Sequence, residues 1–201
     1  MNTDKNNPTF SFIVPTFNEE KFIEETISDI QANFSRNHQS EFEILIIDNG
    51  STDSTVTLAQ DTDCRVVVEP ALNISELRNL GAKISRGKIL VFIDADVSLS
   101  RDWRHSVESV LPRLINGEPL LVGSHYKPCD VTPYPLSSWF IGGYENPRAS
   151  FLPGGHTLLN RTVFENIGGF SSGFLTSEDI EFCHRAVSMG FSIEHRMEIV
   201  V

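Results

Sequence analysis

Two aspartates stand one residue apart at the end of an apolar run: in "KILVFIDADVS", Ile89 to Ile93 lead into Asp94 and Asp96. Paired hard oxygens at a strand end suit a divalent cation. The same residues also suit a cap, by Asp96 or Ser98, on a following helix. Two other acidic positions have a similar setting. Asp48 closes the apolar run "FEILIID" and precedes the turn "NGSTDST". Glu178 and Asp179 open "SEDIEFCHRAVSMG", where negative charge favours a helix N-terminus. Choosing between chemistry and capping requires the elements that would position these residues.

Those elements alternate. "FSFIV", residues 10–14, is a short apolar strand closed by Pro15. Phe22, Ile23, Ile27, Ile30 and Phe34 then recur at helical spacing, with Asn18 read as the N-cap and Glu19 and Glu20 in the first turn. "FEILIID" is a second strand, and Asp53 or Ser51 is placed to cap the helix "TVTLAQ". "RVVVE", residues 65–69, is a third strand, and residues 74–87 form a helix stopped near Gly87. "KILVFID" is the fourth strand. Continuously apolar strands separated by helices predict an α/β fold, with a mostly parallel sheet covered on both faces. Ligands of such sheets bind beyond the carboxyl ends of the strands. Pro15 to Glu19, Asp48 to Ser51, and Asp94 to Asp96 all fall there, which a single capped helix would not explain.

The second half is less regular. Residues 101–115 look helical. Residues 123–153 carry five prolines and several aromatics, Trp139 and Tyr144 among them, in the manner of a substrate-binding loop. "RTVFENIGGF" reads as a short helix stopped at Gly168 and Gly169. Ser177 is the expected cap of the next helix and Gly190 its end, with "FSIEHRMEIVV" as one or two edge strands.

Composition narrows the function classes. The 201 residues suffice for one well-buried domain, and 40% hydrophobic with 21% charged residues is ordinary for a globular protein. A net charge of -11 argues against nucleic acid as a partner and against a face held on anionic lipid by charge alone. Cys64, Cys129 and Cys183 are odd in number and lack metal-type spacing, which suggests a reducing compartment. No signal peptide is read at the N-terminus, and no window nears the roughly 18 apolar residues of a membrane span. The resulting expectation is a cytoplasmic protein.

Five blocks together resemble the family 2 glycosyltransferases, the inverting class with the GT-A nucleotide-diphospho-sugar fold. They are "SFIVPTFNEEKFIEETI", "EILIIDNGSTDST", "SELRNLGAKISRGKILVFIDADV", "GGHTLLNRTVFENIGGF" and "SEDIEFCHRAVSMGFSI", in this order over most of residues 11–193. The resemblance implies one catalytic domain over residues 1–201. Residues of about 10–100 would bind the nucleotide sugar and about 101–201 the acceptor. It further implies transfer from a nucleotide-diphospho-sugar, UDP-linked by expectation, to a hydroxyl of a growing polysaccharide or lipid-linked glycan. The absence of an apparent span leaves room for peripheral association with the inner face of a membrane.

Roles follow from the same resemblance. Pro15, Thr16, Asn18, Glu19, Asp48, Ser51, Arg78, Asp94 and Ala95 would bind the nucleotide sugar. Asp48 would accept from uracil N3, while Arg78 would approach the uridine or a phosphate. Asp94 would serve the ribose or a metal-bound water and Asp96 the metal itself, Mg²⁺ or Mn²⁺, with diphosphate oxygens completing the shell. Asp179 would be the general base and Glu178 its acceptor-orienting neighbour, roles that could be exchanged. Gly154 and Gly155 would bring the backbone close to the sugar or acceptor, with His156 beside them. Arg185 is expected to be structural or phosphate-facing.

One departure concerns the C-terminal side. Many relatives continue past the last strand with a His that completes the metal site, whereas this sequence reaches Val201 on "MEIVV". That suits a truncated form or a minimal catalytic core. Two rival readings accompany the main one. A haloacid-type phosphatase also carries Asp-x-Asp after an apolar strand, and a nucleotide-sugar-binding relative could lack turnover.

Overall fold

The structure is a computed structural model that describes residues 7–34, 40–126, 151–152, 154–174 and 176–201. Trp139, Tyr144, Cys129 and Pro153 lie outside the described residues. Among the described residues, seven strands form one sheet in the order β3-β2-β1-β4-β6-β5-β7. They are β1 (Phe10–Thr16), β2 (Phe42–Asp48), β3 (Arg65–Val68), β4 (Ile89–Ile93), β5 (Leu120–His125), β6 (His156–Asn160) and β7 (Ser192–Val200). Strands β1 to β4 are mutually parallel, with Thr16 beside Asp48 and Asp48 beside Val68. β6 runs antiparallel between β4 and β5, and β7 pairs parallel to β5 at the edge. The expected mostly parallel α/β sheet is thus observed, with the antiparallel β6 as its one reversed strand.

Two apolar layers explain why it holds together. Alternate residues of β1 face opposite sides. Phe10, Phe12 and Val14 join one core cluster, and Ile13 joins the other. The first cluster is covered by helices α1 (Ile23–Ala32), α2 (Thr55–Gln60), α4 (Trp103–Ser106) and α5 (Leu111–Ile115). The second is covered by α3 (Ile74–Ile84), α6 (Arg161–Ile167) and α7 (Glu178–Ser188). Trp103 packs its ring against Phe10 and Phe12 and is fully buried. α3 lies tightly on the sheet because Gly81 has no Cβ, which would stand 2.4 Å from the Ile13 side chain.

Several local expectations need correction. Helix α1 begins at Ile23, so Asn18, Glu19 and Glu20 precede it. Asn18 is no cap. It adopts a left-handed φ of 58°, a conformation asparagine tolerates, and its Oδ1 accepts from Thr52 N. Residues 101–115 form two short helices and a 3-10 turn (Val107–Ser109), the second helix having Pro112 in its first turn. β3 is an exposed to half-buried edge strand, because it has a neighbour on one side alone. α3 ends at Ile84, before Gly87. That glycine serves instead to let the chain pass Ser11, whose Oγ would lie 2.4 Å from an added Cβ. Ser177 precedes α7 at a φ of 62° without a side-chain capping bond. Left-handed glycines do end α6 at Gly168 and follow α7 at Gly190, as expected.

Candidate functional site

The parallel topology brings three strand ends to one edge. A cleft of about 380 Å³ opens there, lined by Pro15, Thr16, Phe17, Glu19, Asn49, Ile74, Leu77, Arg78, Asp94, Ala95, Asp96 and Glu178. Its position beyond the carboxyl ends of β1, β2 and β4 is the ligand position of open α/β sheets. Asp94 and Asp96 lie beyond the last residue of β4, in a turn where Val97 N donates to Asp94 O. Strand alternation therefore does not orient them. The turn brings both to the cleft wall.

Charge in the cleft is mostly negative. Among the described residues, Glu19, Asp94, Asp96 and Glu178 face a single guanidinium, that of Arg78. Burial first, then repulsion from Asp96, Asp94 and Asp53, raises the Glu19 carboxyl above the ordinary range. Among the described residues no three His, Cys, Asp or Glu side chains converge closely enough to hold a metal by themselves. The hard carboxylate donors of Asp94 and Asp96 nevertheless fit Mg²⁺ or Mn²⁺ whose remaining ligands come from a bound substrate.

Arg78 is 2% exposed, not splayed toward a ligand. Its Nη1 donates to Glu178 Oε1 at 2.5 Å and its Nη2 to Asp94 Oδ1 at 2.8 Å. Nη2 also donates to Gly154 O at 3.2 Å. Burial would lower its pKa, but Asp94 and Glu178 outweigh burial and keep it above the ordinary arginine value. These bonds form an internal ion network in the cleft wall. Gly154 and Gly155 do permit close approach, but to this network. A Cβ on Gly154 would stand 2.9 Å from Arg78 Nη2, and one on Gly155 3.3 Å from Asp94 Oδ2. Gly154 N donates to Asp179 Oδ2 at 2.9 Å, and Asp94 N donates to Gly155 O.

Asp48 is likewise engaged within the protein. It is fully buried, and the turn that follows it occupies both carboxylate oxygens. Gly50 N and Ser51 N donate to Oδ2, while Ser51 Oγ and Thr16 Oγ1 donate to Oδ1. A carboxylate so engaged organises the loop. The adjacent Asn49 lines the cleft instead, and its buried Oδ1 has no hydrogen-bond partner. Ser51 and Asn18 tie the two loops together, since Asn18 N donates to Ser51 Oγ, and neither lines the cleft.

His156 is a further correction. It is completely buried beneath the site, with Trp103 Nε1 donating to its Nε2 and Ser124 Oγ against its Nδ1. Burial pushes its pKa down to about 3. It is a neutral core histidine and does not line the cleft. Arg185 is structural, donating to Glu181 and to the carbonyls of Ile167 and Gly169. Reasoning from sequence missed Phe17, Asn49, Ile74 and Leu77 as cleft residues. Phe17, 53% exposed between Thr16 and Asn18, and Asn49, next to Asp48, were detectable as chain neighbours of residues already singled out. Nothing in the sequence marks Ile74.

Comparison with known proteins agrees with the fold. The chain is 23% identical to the glycosyltransferase AglE of Haloferax volcanii, across 96% of this chain and 66% of that protein. The S. aureus TarS 1-349 crystal structure superposes with a TM-score of 0.71 at 20% identity, covering 92% of this chain and 57% of that one. The mannosyltransferase PcManGT from Pyrobaculum calidifontis, solved with GDP-Man and Mn²⁺, superposes with a TM-score of 0.74 at 21% identity, covering 96% and 56%. The chain thus spans about two thirds or less of these relatives. No helix among the described residues is long and apolar enough to cross a membrane. With the strand order and the acidic edge in place, the match of residues 11–176 to the family description is decisive: the chain belongs to glycosyl transferase family 2.

Proposed function

We propose that this chain transfers a sugar, with inversion, from a nucleotide-diphospho-sugar to a hydroxyl of a glycan or lipid-linked acceptor. The observation that carries this reading is the acidic cleft at the strand ends. Four carboxylates and one already paired guanidinium among the described residues of the cleft repel a diphosphate unless a cation accompanies it. Asp96 and the free oxygen of Asp94 would hold Mg²⁺ or Mn²⁺, which when bound neutralises the diphosphate and makes it a better leaving group. Phe17 offers an exposed ring face to the base. In this proposal Asp179, at the start of α7, is the carboxylate that takes the acceptor hydroxyl's proton as its oxygen attacks opposite the diphosphate. Family membership removes the haloacid-type phosphatase reading.

Calorimetric titration of UDP with and without Mn²⁺ tests the cation requirement. Binding should be measurable with Mn²⁺ and lost in EDTA. Asp96→Ala should weaken it by about tenfold or more, far beyond the effect of Asp179→Ala. Equal affinity in EDTA would refute the metal role. Slow UDP release from UDP-sugars then separates a transferase from a relative that binds without turnover.

The base is read by Asn49 in this proposal. The relatives do not decide it, since one TarS structure contains UDP-GlcNAc and the Pyrobaculum enzyme contains GDP-Man. A carboxamide presents one acceptor and one donor, which match uracil N3–H and O4. Guanine offers a second donor, its amino group, which a carboxylate could accept and a carboxamide cannot accept in the same way. UDP should therefore bind more tightly than GDP, and Asn49→Ala should reduce UDP affinity about tenfold. If GDP binds the unmodified protein as tightly as UDP, the assignment fails.

A further inference from the structure

We infer that Arg78 is the positioning residue of the proposed transfer, joining the donor-side Asp94 to the acceptor-side start of α7. The inference rests on the proposed function for its chemistry and on geometry alone for its structural content. Three segments distant in sequence meet on one guanidinium: the turn after β4 through Asp94, the glycine pair before β6 through Gly154 O, and α7 through Glu178. Gly154 carries the connection further. Its carbonyl accepts from Arg78 while its N–H donates to Asp179 Oδ2. Arg78 thus fixes the peptide that orients Asp179 without touching that residue.

The side chain is itself held in place. Its guanidinium carbon lies 5.4 Å from the centroid of the Phe170 ring. Phe170 is in turn clamped by Asn79, whose Nδ2 donates to Phe170 O and whose Oδ1 accepts from Phe170 N. A rigid planar fork can bind Asp94 and Glu178 on separate arms. Lysine supplies one point charge and cannot hold the same three partners in the same directions. Without the fork, two neighbouring carboxylates would repel each other and Gly154 would lose its carbonyl anchor.

Arg78→Lys tests the inference in two ways. Hydrogen exchange of the whole chain, read without any ligand, should rise about tenfold or more at residues 154–155 and at the start of α7, while β1 and β4 stay protected. Unchanged exchange at those segments overturns the proposal, as does a uniform rise throughout the sheet, which would mark a merely structural arginine. If Arg78→Lys does not fold, Glu178→Gln, nearly isosteric and uncharged, must produce the same local rise. Under turnover with a UDP-sugar and Mn²⁺, kcat should fall about 10- to 100-fold with the donor KM within about threefold. In an Asp179→Asn background the same change should cost less than about threefold, because the action passes through Asp179. Additive losses, or a loss confined to KM, would overturn the inference. A parent protein that releases no UDP counts against the proposed function, and the exchange result still decides the role of Arg78.

Discussion

Asp179→Asn should lower turnover by about 10²–10⁴-fold while leaving UDP affinity nearly unchanged. The separation is expected because Asp179 does not line the nucleotide cleft, whereas Glu178 does. At rest the Asp179 oxygens accept from Gly154 N and from Ile180 N, at 2.9 and 2.8 Å. Asparagine retains one carbonyl oxygen, so one of these bonds survives while the capacity to accept a proton is lost. Glu178→Gln is the necessary companion. Glu178 is 8% exposed and bound to Arg78, so its loss should act on the geometry of the network more than on proton transfer. Both variants are to be assayed with a hydroxyl acceptor and with UDP affinity in parallel. Near-full transfer in Asp179→Asn with a large loss in Glu178→Gln would exchange their roles. Full transfer in both would place the base elsewhere.

Folding stability should fall steeply between pH 6.5 and about pH 3, with a share assignable to His156. Its folded pKa is depressed to about 3, from an ordinary value of 6.5. Above the ordinary value both states are neutral, and the contribution is fully present. As the pH falls, the unfolded chain takes up a proton that the folded one refuses. Stability is then lost at about 1.4 kcal/mol per pH unit until the folded pKa is reached. The neutral ring is the one that its burial and partners accommodate. Nε2 accepts from Trp103 Nε1, so the proton resides on Nδ1, against Ser124 Oγ. His156→Phe removes the titrating group and leaves Trp103 Nε1 without its acceptor, at a cost of about 1–3 kcal/mol near neutral pH. Urea denaturation of both proteins from pH 7.5 to pH 4 is the measurement. The variant should begin less stable and lose stability more slowly, since the carboxylate contributions cancel in the comparison. Parallel loss in the two proteins would mean that His156 protonates in the folded state.

The sequence by itself determined the sheet's parallel half and the edge that bears the site. β1, β2 and β4 are continuous apolar runs because both their faces are covered, and the polar residues that follow each run mark their carboxyl ends. Glu19, Asp94 and Asp96 could therefore be assigned to one edge from local pattern, and Glu178, which the resemblance set beside the acceptor, joins them in the cleft. Which way a side chain points after a strand ends was decided by tertiary structure. Asp48 is the last residue of β2, enclosed by the turn at Gly50 and Ser51, and Asn49, the first residue beyond the strand, lines the cleft. His156 follows two glycines of the site, yet β6 begins with it facing inward, on Trp103. Arg78 looks like a solvated helix residue in sequence. It is buried because Gly81 lets α3 settle on β1. Its partners then come from 16 and 100 residues away. No window of sequence holds these contacts together, because the charges meet only after the sheet and its second layer of helices have closed around them.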